Sequence, residues 1–330
     1  MSNTTKYRLK YTLTKAIQMI LVLAVLSMAV FVIARLCPGD PLRSYYGDGV
    51  ERMSEVQREA AREKLGLNDS MLVQYERWVE NLFDGDLGLS YKYKLPVTEV
   101  IGRDWVKTQI LGGVSYALTF GLAILLGCFC ALREDRLADR VICRIGVVSS
   151  CVPSFFLALL LILIFAVELG ILPAGGAYSY GNSHSVSDRI WHLMLPAAVM
   201  VLEHLWYYAY MVRNKLVEEA RQDYVLLCKA EGIPRTKILC RHCLRNIMPS
   251  MLVVMAIAVP HILGGTYVVE TVFAYPGLGT LSFESAMYQD YNMLMALCML
   301  TGACVLVFHL AAQLLSEFID PRMKREEVLI

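Results

Sequence analysis

Uncharged apolar runs of membrane-crossing length alternate along this chain with polar segments of very unequal size. The first run, residues 16–34, follows Lys6, Arg8, Lys10 and Lys15 and is long enough, as a helix, to span about 30 Å of hydrocarbon. A cleaved leader would have a shorter apolar core and a small-residue cleavage site; Arg35-Leu36-Cys37-Pro38 follows instead, so the run is expected to stay as a transmembrane helix. Further runs at about 109–132, 145–167, 195–212, 251–269 and 293–315 predict six spans with both chain ends on the same side. The second has small residues at Ala117 and Gly121, and again at Ala123 and Gly127, a spacing that suits close helix packing. The third contains Pro153, which neighbouring helices can tolerate in a bundle.

The polar segments have structure of their own. Pro38-Gly39-Asp40-Pro41 breaks the first helix, and the chain then stays polar to about Asp104, which predicts a small helical domain outside the membrane. Ser54-Glu55-Val56-Gln57 has the form of a capping box, opening a helix that reaches about Leu65 and ends at Gly66. Tyr75, Trp78, Val79 and Leu82 make a second amphipathic stripe, which stops before Asp84-Gly85-Asp86-Leu87-Gly88. The short connection at 133–144 carries four arginines and belongs on the cytoplasmic side. The segment at 213–249 belongs there too, with eight basic residues against Glu218, Glu219, Asp223 and Glu231. In it Val217, Ala220, Tyr224, Leu227 and Cys228 recur at helical spacing as one apolar face. Glu231-Gly232 suits a left-handed cap, and Pro234 suits the first turn of a second helix that presents Ile238, Leu239, His242 and Leu244 before Pro249 marks its boundary. No Lys or Arg lies between Met251 and Leu315, so the mouth on the outer side, with Glu270, Glu284 and Asp290, reads as acidic.

Composition agrees. A hydrophobic content of 56% and a mean hydropathy of +0.48 over 330 residues describe an integral membrane protein, all-α in class, while the net charge of +1 by itself points to no partner and gives no sign of nucleic acid. Ten cysteines are scattered, several inside apolar runs where they act as small hydrophobes. Cys240-Arg-His-Cys243 has no second pair to complete a four-ligand zinc site, so no metal site is expected. There is no phosphate loop of the G-x-x-x-x-G-K-[ST] type, no H-E-x-x-H helix and no G-x-S-x-G elbow, so no catalytic residues are assigned and ATP hydrolysis is not expected in this chain.

Glu219-Ala220, Asp223-Tyr224-Val225, Ala230, Gly232, Arg241-His242, Leu244, Arg245-Asn246 and Pro249 together resemble the cytoplasmic "EAA" loop of ABC-importer permeases, in their dipeptide, oligopeptide and nickel branch. PGDP, Leu65-Gly66-Leu67, Gln74-Tyr75 with Trp78, GDLG with Ser90, Leu172-Pro173-Ala174-Gly175-Gly176, and Glu270-Thr271-Val272-Phe273-Ala274-Tyr275-Pro276-Gly277-Leu278-Gly279 extend the resemblance from Pro38 to Arg322. Cys228 and Cys240 depart from it, standing where small or aliphatic residues are more usual. A basic hairpin anchored to anionic lipid would not need Ala230 and Gly232 at a turn.

The resemblance implies the six-helix permease fold of type I importers. It divides the chain into a first helix with its extracytoplasmic domain (1–104), a five-helix core (105–320) with a coupling loop (213–249), and a cytoplasmic tail (321–330). Its coupling residues would be Glu219, Ala220, Asp223, Tyr224, Ala230, Gly232, His242, Asn246 and Pro249, and its outer-mouth residues Glu270, Phe273, Pro276, Gly277 and Gly279. The implied partners are a second related permease subunit, two ABC ATPase subunits that bind ATP and magnesium, an extracytoplasmic substrate-binding protein and the lipid of a bacterial or archaeal cell membrane. The cargo would be a dipeptide, an oligopeptide, nickel or a metal chelate. A membrane sensor with a signalling hairpin, and an intramembrane protease or lipase, are the other classes to weigh; copurification with an ATPase separates them. For the pathway the candidates are Glu203, His204 and His261, since an ionisable group at membrane depth should face a water-filled cavity or a partner.

Overall fold

A computed structural model describes residues 3–36, 40–149 and 151–319, with side chains from Thr14 onward except those of residues 261, 263–265 and 316–319. Pro38 and Gly39, the His261 side chain, the Gly264-Gly265 pair's surroundings and the tail from Asp320 onward therefore lie outside the described residues. Among the described residues every regular element is helical, and the one strand-like contact is an isolated bridge between Leu89 and Pro96. Two compact units are present: Met1–Val106 with Thr280–Leu306, and Lys107–Gly279 with Val307–Ile330.

In the first unit α1 (Asn3–Leu36) contains the first predicted span. The polar segment then folds as α2 (Pro41–Tyr46), a 3-10 turn (Gly47–Arg52), α3 (Glu55–Lys64) and α4 (Met71–Phe83). The Ser54–Gln57 capping box is present with both reciprocal bonds. Gly66 (φ +66°) ends α3, its N–H on Glu63 O and that of Leu67 on Arg62 O, the two bonds of a Schellman cap. Leu42, Val50 and Ala61 form a small core with Tyr46, Leu65 and Leu67. Tyr75 of the expected stripe packs on α1, its ring 5.4 Å from Phe31 and its hydroxyl 2.8 Å from Ser27 Oγ.

The second unit is arranged on α8 (Val186–Glu219), a 34-residue helix with thirteen buried side chains. Around it lie α5 (Val97–Leu132), α6 (Leu137–Ser149), α7 (Ser154–Leu161) continued by a π-helical stretch (Ile162–Glu168), α9 (Asp223–Ala230), α10 (Arg235–Lys237) with a π-helical turn (Ile238–Cys243), and α11 (Leu244–Val272). The last helices are α12 (Leu278–Met287) and α13 (Tyr291–Ile319). Of the two small-residue pairs in α5, one packs and one does not. A Cβ on Gly127 would sit 2.7 Å from Val212 Cβ and 3.0 Å from Ala209 O, whereas Gly121 has nothing within 4 Å and Ala117 is exposed.

The structure corrects two expectations. The third span is not one helix: α6 and the α7 stretch meet at a 108° bend, and Pro153 is the extended N-cap of α7 (φ −63°, ψ 137°) rather than a residue within a continuous helix. The physical cause is the proline itself, whose ring disfavours helical backbone at the preceding residue. Pro249 marks no boundary; it lies inside α11, as does Pro260. By length and apolarity alone, four helices qualify as spans among the described residues. Thr14–Leu36, Val97–Leu132, Arg235–Pro260 and Tyr291–Leu315 are long and apolar enough to cross a membrane, and the bent pair makes a fifth. The predicted fourth span falls within α8, where Glu203, His204 and four aromatic residues reduce the hydropathy. That helix is packed mainly by protein, so it needs less apolar surface.

The α5–α8 contact makes a direct prediction. Gly127→Val forces side-chain atoms into Val212 and should destabilise the protein by about 1–3 kcal/mol, while Gly121→Val, facing open space, should leave thermal stability in detergent nearly unchanged. Equal melting temperatures for the two variants would show that Gly127 does not set this contact.

Candidate functional site

The segment at 213–249 carries the expected coupling residues, and its first feature is a break. α8 ends at Glu219, Ala220 caps it, and Gln222 is extended (φ −70°, ψ 151°) before α9 begins. The apolar face expected to run through Val217, Ala220, Tyr224, Leu227 and Cys228 is thus split between two helices. Val217 and Val225 are buried and Tyr224 and Cys228 half-buried, but Leu226 and Leu227 are 61% and 62% exposed. α9 ends in a Schellman cap: Gly232 N–H bonds Lys229 O, Ile233 N–H bonds Cys228 O, and Gly232 takes φ +77°. A Cβ there would meet nothing within 4 Å, so the left-handed backbone is what favours glycine at this position. Asp223 stands exposed in the first turn of α9, where a carboxylate complements the helix dipole, and Ala230 is its exposed last residue.

Glu219 is the acceptor that gathers the segment. Its Oε1 takes hydrogen bonds from Tyr224 OH (2.8 Å) and Asn246 Nδ2 (2.9 Å), so three of the expected residues, from α8, α9 and α11, meet at one oxygen. Tyr224 OH also lies 3.5 Å from Cys243 Sγ. Burial, followed by these bonds to Cys243 and Glu219, pushes the Tyr224 phenol well above its usual range, so it remains a donor. His242 is half-buried in the π-helical turn and Pro249 is buried within α11; neither joins the Glu219 cluster.

A second set of contacts was not legible from the connection at 133–144, which drew notice only for its arginines. Asp139, 1% exposed, receives Arg213 Nε at 3.1 Å and Nη2 at 2.6 Å, together with the Asp135 N–H at 3.0 Å. Glu134 pairs with Arg221 (3.1 Å) and Arg235 (3.6 Å), and Arg235 also donates to Ala131 O at the end of α5 (3.1 Å). The only signal in the sequence was three acidic residues, Glu134, Asp135 and Asp139, among the arginines, with nothing to say which of eight basic residues each would meet.

The Glu270–Gly279 stretch is a tightly packed turn. Glu270 is fully buried; Thr108 Oγ1 donates to its Oε1 (2.8 Å) and accepts from Leu278 N–H (2.7 Å). A Cβ on Gly277 would overlap the Glu270 carboxyl and Thr108 Oγ1, and one on Gly279 would lie 2.7 Å from the Tyr267 backbone. Phe273 is buried, its carbonyl accepting from Gly176 N–H (2.7 Å), and Pro276 is half-buried. The acidic mouth is corrected accordingly. In the first unit Asp290 is buried and takes bonds from Ser90 Oγ and Lys92 N–H, while Glu284 pairs with Lys92 Nζ at 2.6 Å and with Tyr93 OH. Burial raises the Glu284 carboxyl, but its donors Lys92 and Tyr93 lower it further, so it is held below the ordinary glutamate range. Runs without Lys or Arg can still find cations far away in the chain, and that is the reason the charge pattern misled.

In α8 Glu203 Oε2 is buried with no hydrogen-bond partner among the described residues. His204 Nδ1 bonds Met200 O of its own helix at 2.9 Å, and its ring stacks toward Tyr208 at 6.4 Å. The two do not converge, as expected for neighbours about 100° apart on a helix.

Comparison with known proteins gives consistent results. The family model described as "Binding-protein-dependent transport system inner membrane component" matches residues 123–325, and the corresponding N-terminal membrane component model matches residues 8–109. The chain is 32% identical over 315 residues to the oligopeptide transport system permease protein AppB of Bacillus subtilis (strain 168), covering 95% of this chain and 99% of that one. It is 30% identical over 326 residues to the probable D,D-dipeptide transport system permease protein DdpB of Escherichia coli (strain K12), covering 93% and 95%. Among solved structures, the inward-facing methionine ABC transporter MetNI matches with a TM-score of 0.54 at 17% identity, over 67% of this chain and 96% of that one, a likeness of fold.

Removing one partner of the Asp139–Arg213 pair leaves a buried charge uncompensated. Asp139→Ala should therefore cost about 3–5 kcal/mol, and the double variant with Arg213→Met should be more stable than Asp139→Ala alone. Thermal unfolding of the three purified proteins checks this; additive losses would mean that the pair is not coupled.

Proposed function

The chain belongs to the family of binding-protein-dependent transport system inner membrane components, and on that premise we propose that it is one permease subunit of an ATP-driven peptide importer. It is a multi-pass membrane protein with the all-α permease fold of type I importers. Peptide as the cargo class is supported by the relatives named for oligopeptide and dipeptide transport. The receptor and hydrolase readings find no support in the same comparisons.

The observation that carries the mechanism is α9. It displays Leu226 and Leu227 to the exterior of a segment whose inner side is fully engaged by Glu219, Tyr224 and Asn246. Two adjacent exposed leucines on a rigidly capped helix suit an apolar cleft of a partner protein. In our reading that partner is an ABC ATPase subunit. Two such subunits bind ATP and magnesium, a second related permease completes the membrane pathway, and an extracytoplasmic binding protein delivers the peptide. The N- and C-termini and α9 lie in the cytoplasm. Closure of the ATPase dimer moves α9, and the helices tied to it turn the pathway outward. Glu203, with one buried oxygen lacking a partner, is the pathway residue suited to a peptide's ammonium group.

Two measurements test this. Leu226→Asp with Leu227→Asp should abolish copurification of the ATPase, or reduce substrate-stimulated hydrolysis at least tenfold, without loss of the folded chain. Gly232→Val, strained by about 1 kcal/mol or more, should weaken stimulation more mildly. Full stimulation in both would remove α9 from coupling. Glu203→Gln keeps the side-chain shape and removes the charge; in an assembled complex it should lower peptide uptake, and unchanged uptake would make Glu203 a structural residue only.

A further inference from the structure

The first unit contains a cavity of about 310 Å³ that the transport reading does not use. It lies where two apolar spans end, Thr14–Leu36 at Arg35 and Tyr291–Leu315 at Tyr291, and both residues line it. Ends of membrane spans belong at the level of the lipid headgroups, and the aromatic lining of Tyr45, Trp78, Tyr91 and Tyr291 suits such an interface.

Two lining groups are chemically unfinished. The Arg35 guanidinium lies over the rings of Phe31 (5.4 Å) and Tyr291 (4.9 Å), and among the described residues no carboxylate pairs with it. Gln74 Oε1 is buried without a hydrogen-bond partner among the described residues. Its amide cannot simply be reversed, because Nε2 donates to Asp69 O at 2.8 Å and Leu67 O at 3.5 Å. The cavity lining thus holds a cation that lacks an anion and, in Gln74, an acceptor that lacks a donor, and Asp86 also lines it. Along the side of α1 that leads to Arg35, Ile17, Leu21, Val25 and Met28 are exposed apolar residues at helical spacing.

We propose that this cavity binds the headgroup of phosphatidylethanolamine, the phosphate on Arg35 and the ammonium toward Gln74 Oε1 and Asp86, with the acyl chains against α1. A phosphate takes bidentate donation from a guanidinium, and an ammonium supplies N–H donors that a choline headgroup lacks.

The test uses the complex purified in detergent through a tag on this chain, stripped of lipid and offered equimolar dihexanoyl phosphatidylethanolamine and dihexanoyl phosphatidylcholine, with retained lipid read by native mass spectrometry. The ethanolamine lipid should be preferred by about tenfold. Gln74→Leu should bring that ratio toward unity, a comparison made within one protein and so independent of yield. Arg35→Ala should weaken retention of both lipids about tenfold, and Arg35→Lys should restore part of it. Equal retention of the two lipids by the unmodified complex, or a preference unchanged by Gln74→Leu, overturns the assignment. Competition by soluble phosphoethanolamine as effective as that of the lipid would make this a site for a free headgroup, and displacement of the lipid by a dipeptide would make it a cargo site; either result overturns it.

Discussion

Bidentate pairing of Arg213 with Asp139 is the interaction on which the polar end of the second unit depends. A carboxylate 1% exposed loses its hydration, at a cost of several kcal/mol, and only donors fixed in place can offset that. Asp139 has them: two guanidinium nitrogens, the Asp135 N–H held in a left-handed turn (φ +62°), and the Cys143 thiol at 3.4 Å. Satisfying them draws α6 against α8, and the small residues nearby let the backbones approach. A Cβ on Gly146 would lie 3.2 Å from Trp206 O, and Gly127 of α5 accommodates Val212, the neighbour of Arg213. The ion pair and the glycine contacts act on the same stretch of α8, so the electrostatic and steric requirements agree on one register.

Buried or half-buried carboxylates elsewhere meet the same requirement by other means. Glu270 sits near the C-terminal end of α11, where the helix dipole disfavours negative charge, and Thr108 with the bare backbone of Gly277 forms its immediate surroundings. Glu219 uses a phenol and an amide, and Asp290 a hydroxyl and a backbone N–H. Against these four, Glu203 stands out because one of its oxygens has no hydrogen-bond partner among the described residues. An ionisable group is expensive to keep at membrane depth, about 2.5–3.5 kcal/mol on insertion scales.

What could be read from the sequence was what is local. The Ser54 capping box, the glycine caps at Gly66 and Gly232 and the stripe on α4 all depend on residues within one or two turns, and each appears where its spacing predicts. What could not be read is long-range or conditional. Thr108 meets Glu270 across 162 residues, and Asp139 meets Arg213 across 74. Periodicity favoured one continuous face through Leu227, yet an extended Gln222 separates the helices and turns Leu226 and Leu227 outward. Proline was ambiguous for a similar reason: Pro153 breaks its span while Pro249 and Pro260 do not, and only packing distinguishes them.

The same local breaks explain how α9 can serve as a handle. A helix of eight residues would turn freely on its flanking loops were its inner side not fixed at several points. Tyr224 ties it to Glu219 of α8 and lies against Cys243, Asn246 of α11 reaches the same oxygen, and Val225 is buried in the core beneath. Beyond the Gly232 cap, Arg235 fastens the returning chain to the Ala131 carbonyl near the end of α5 and to Glu134. α9 and the chain that returns from it are therefore tied to α8 and α11, and through Arg235 to α5. Beyond the extended Gln222 that separates α9 from α8, Glu219 and Glu203 lie on one continuous helix.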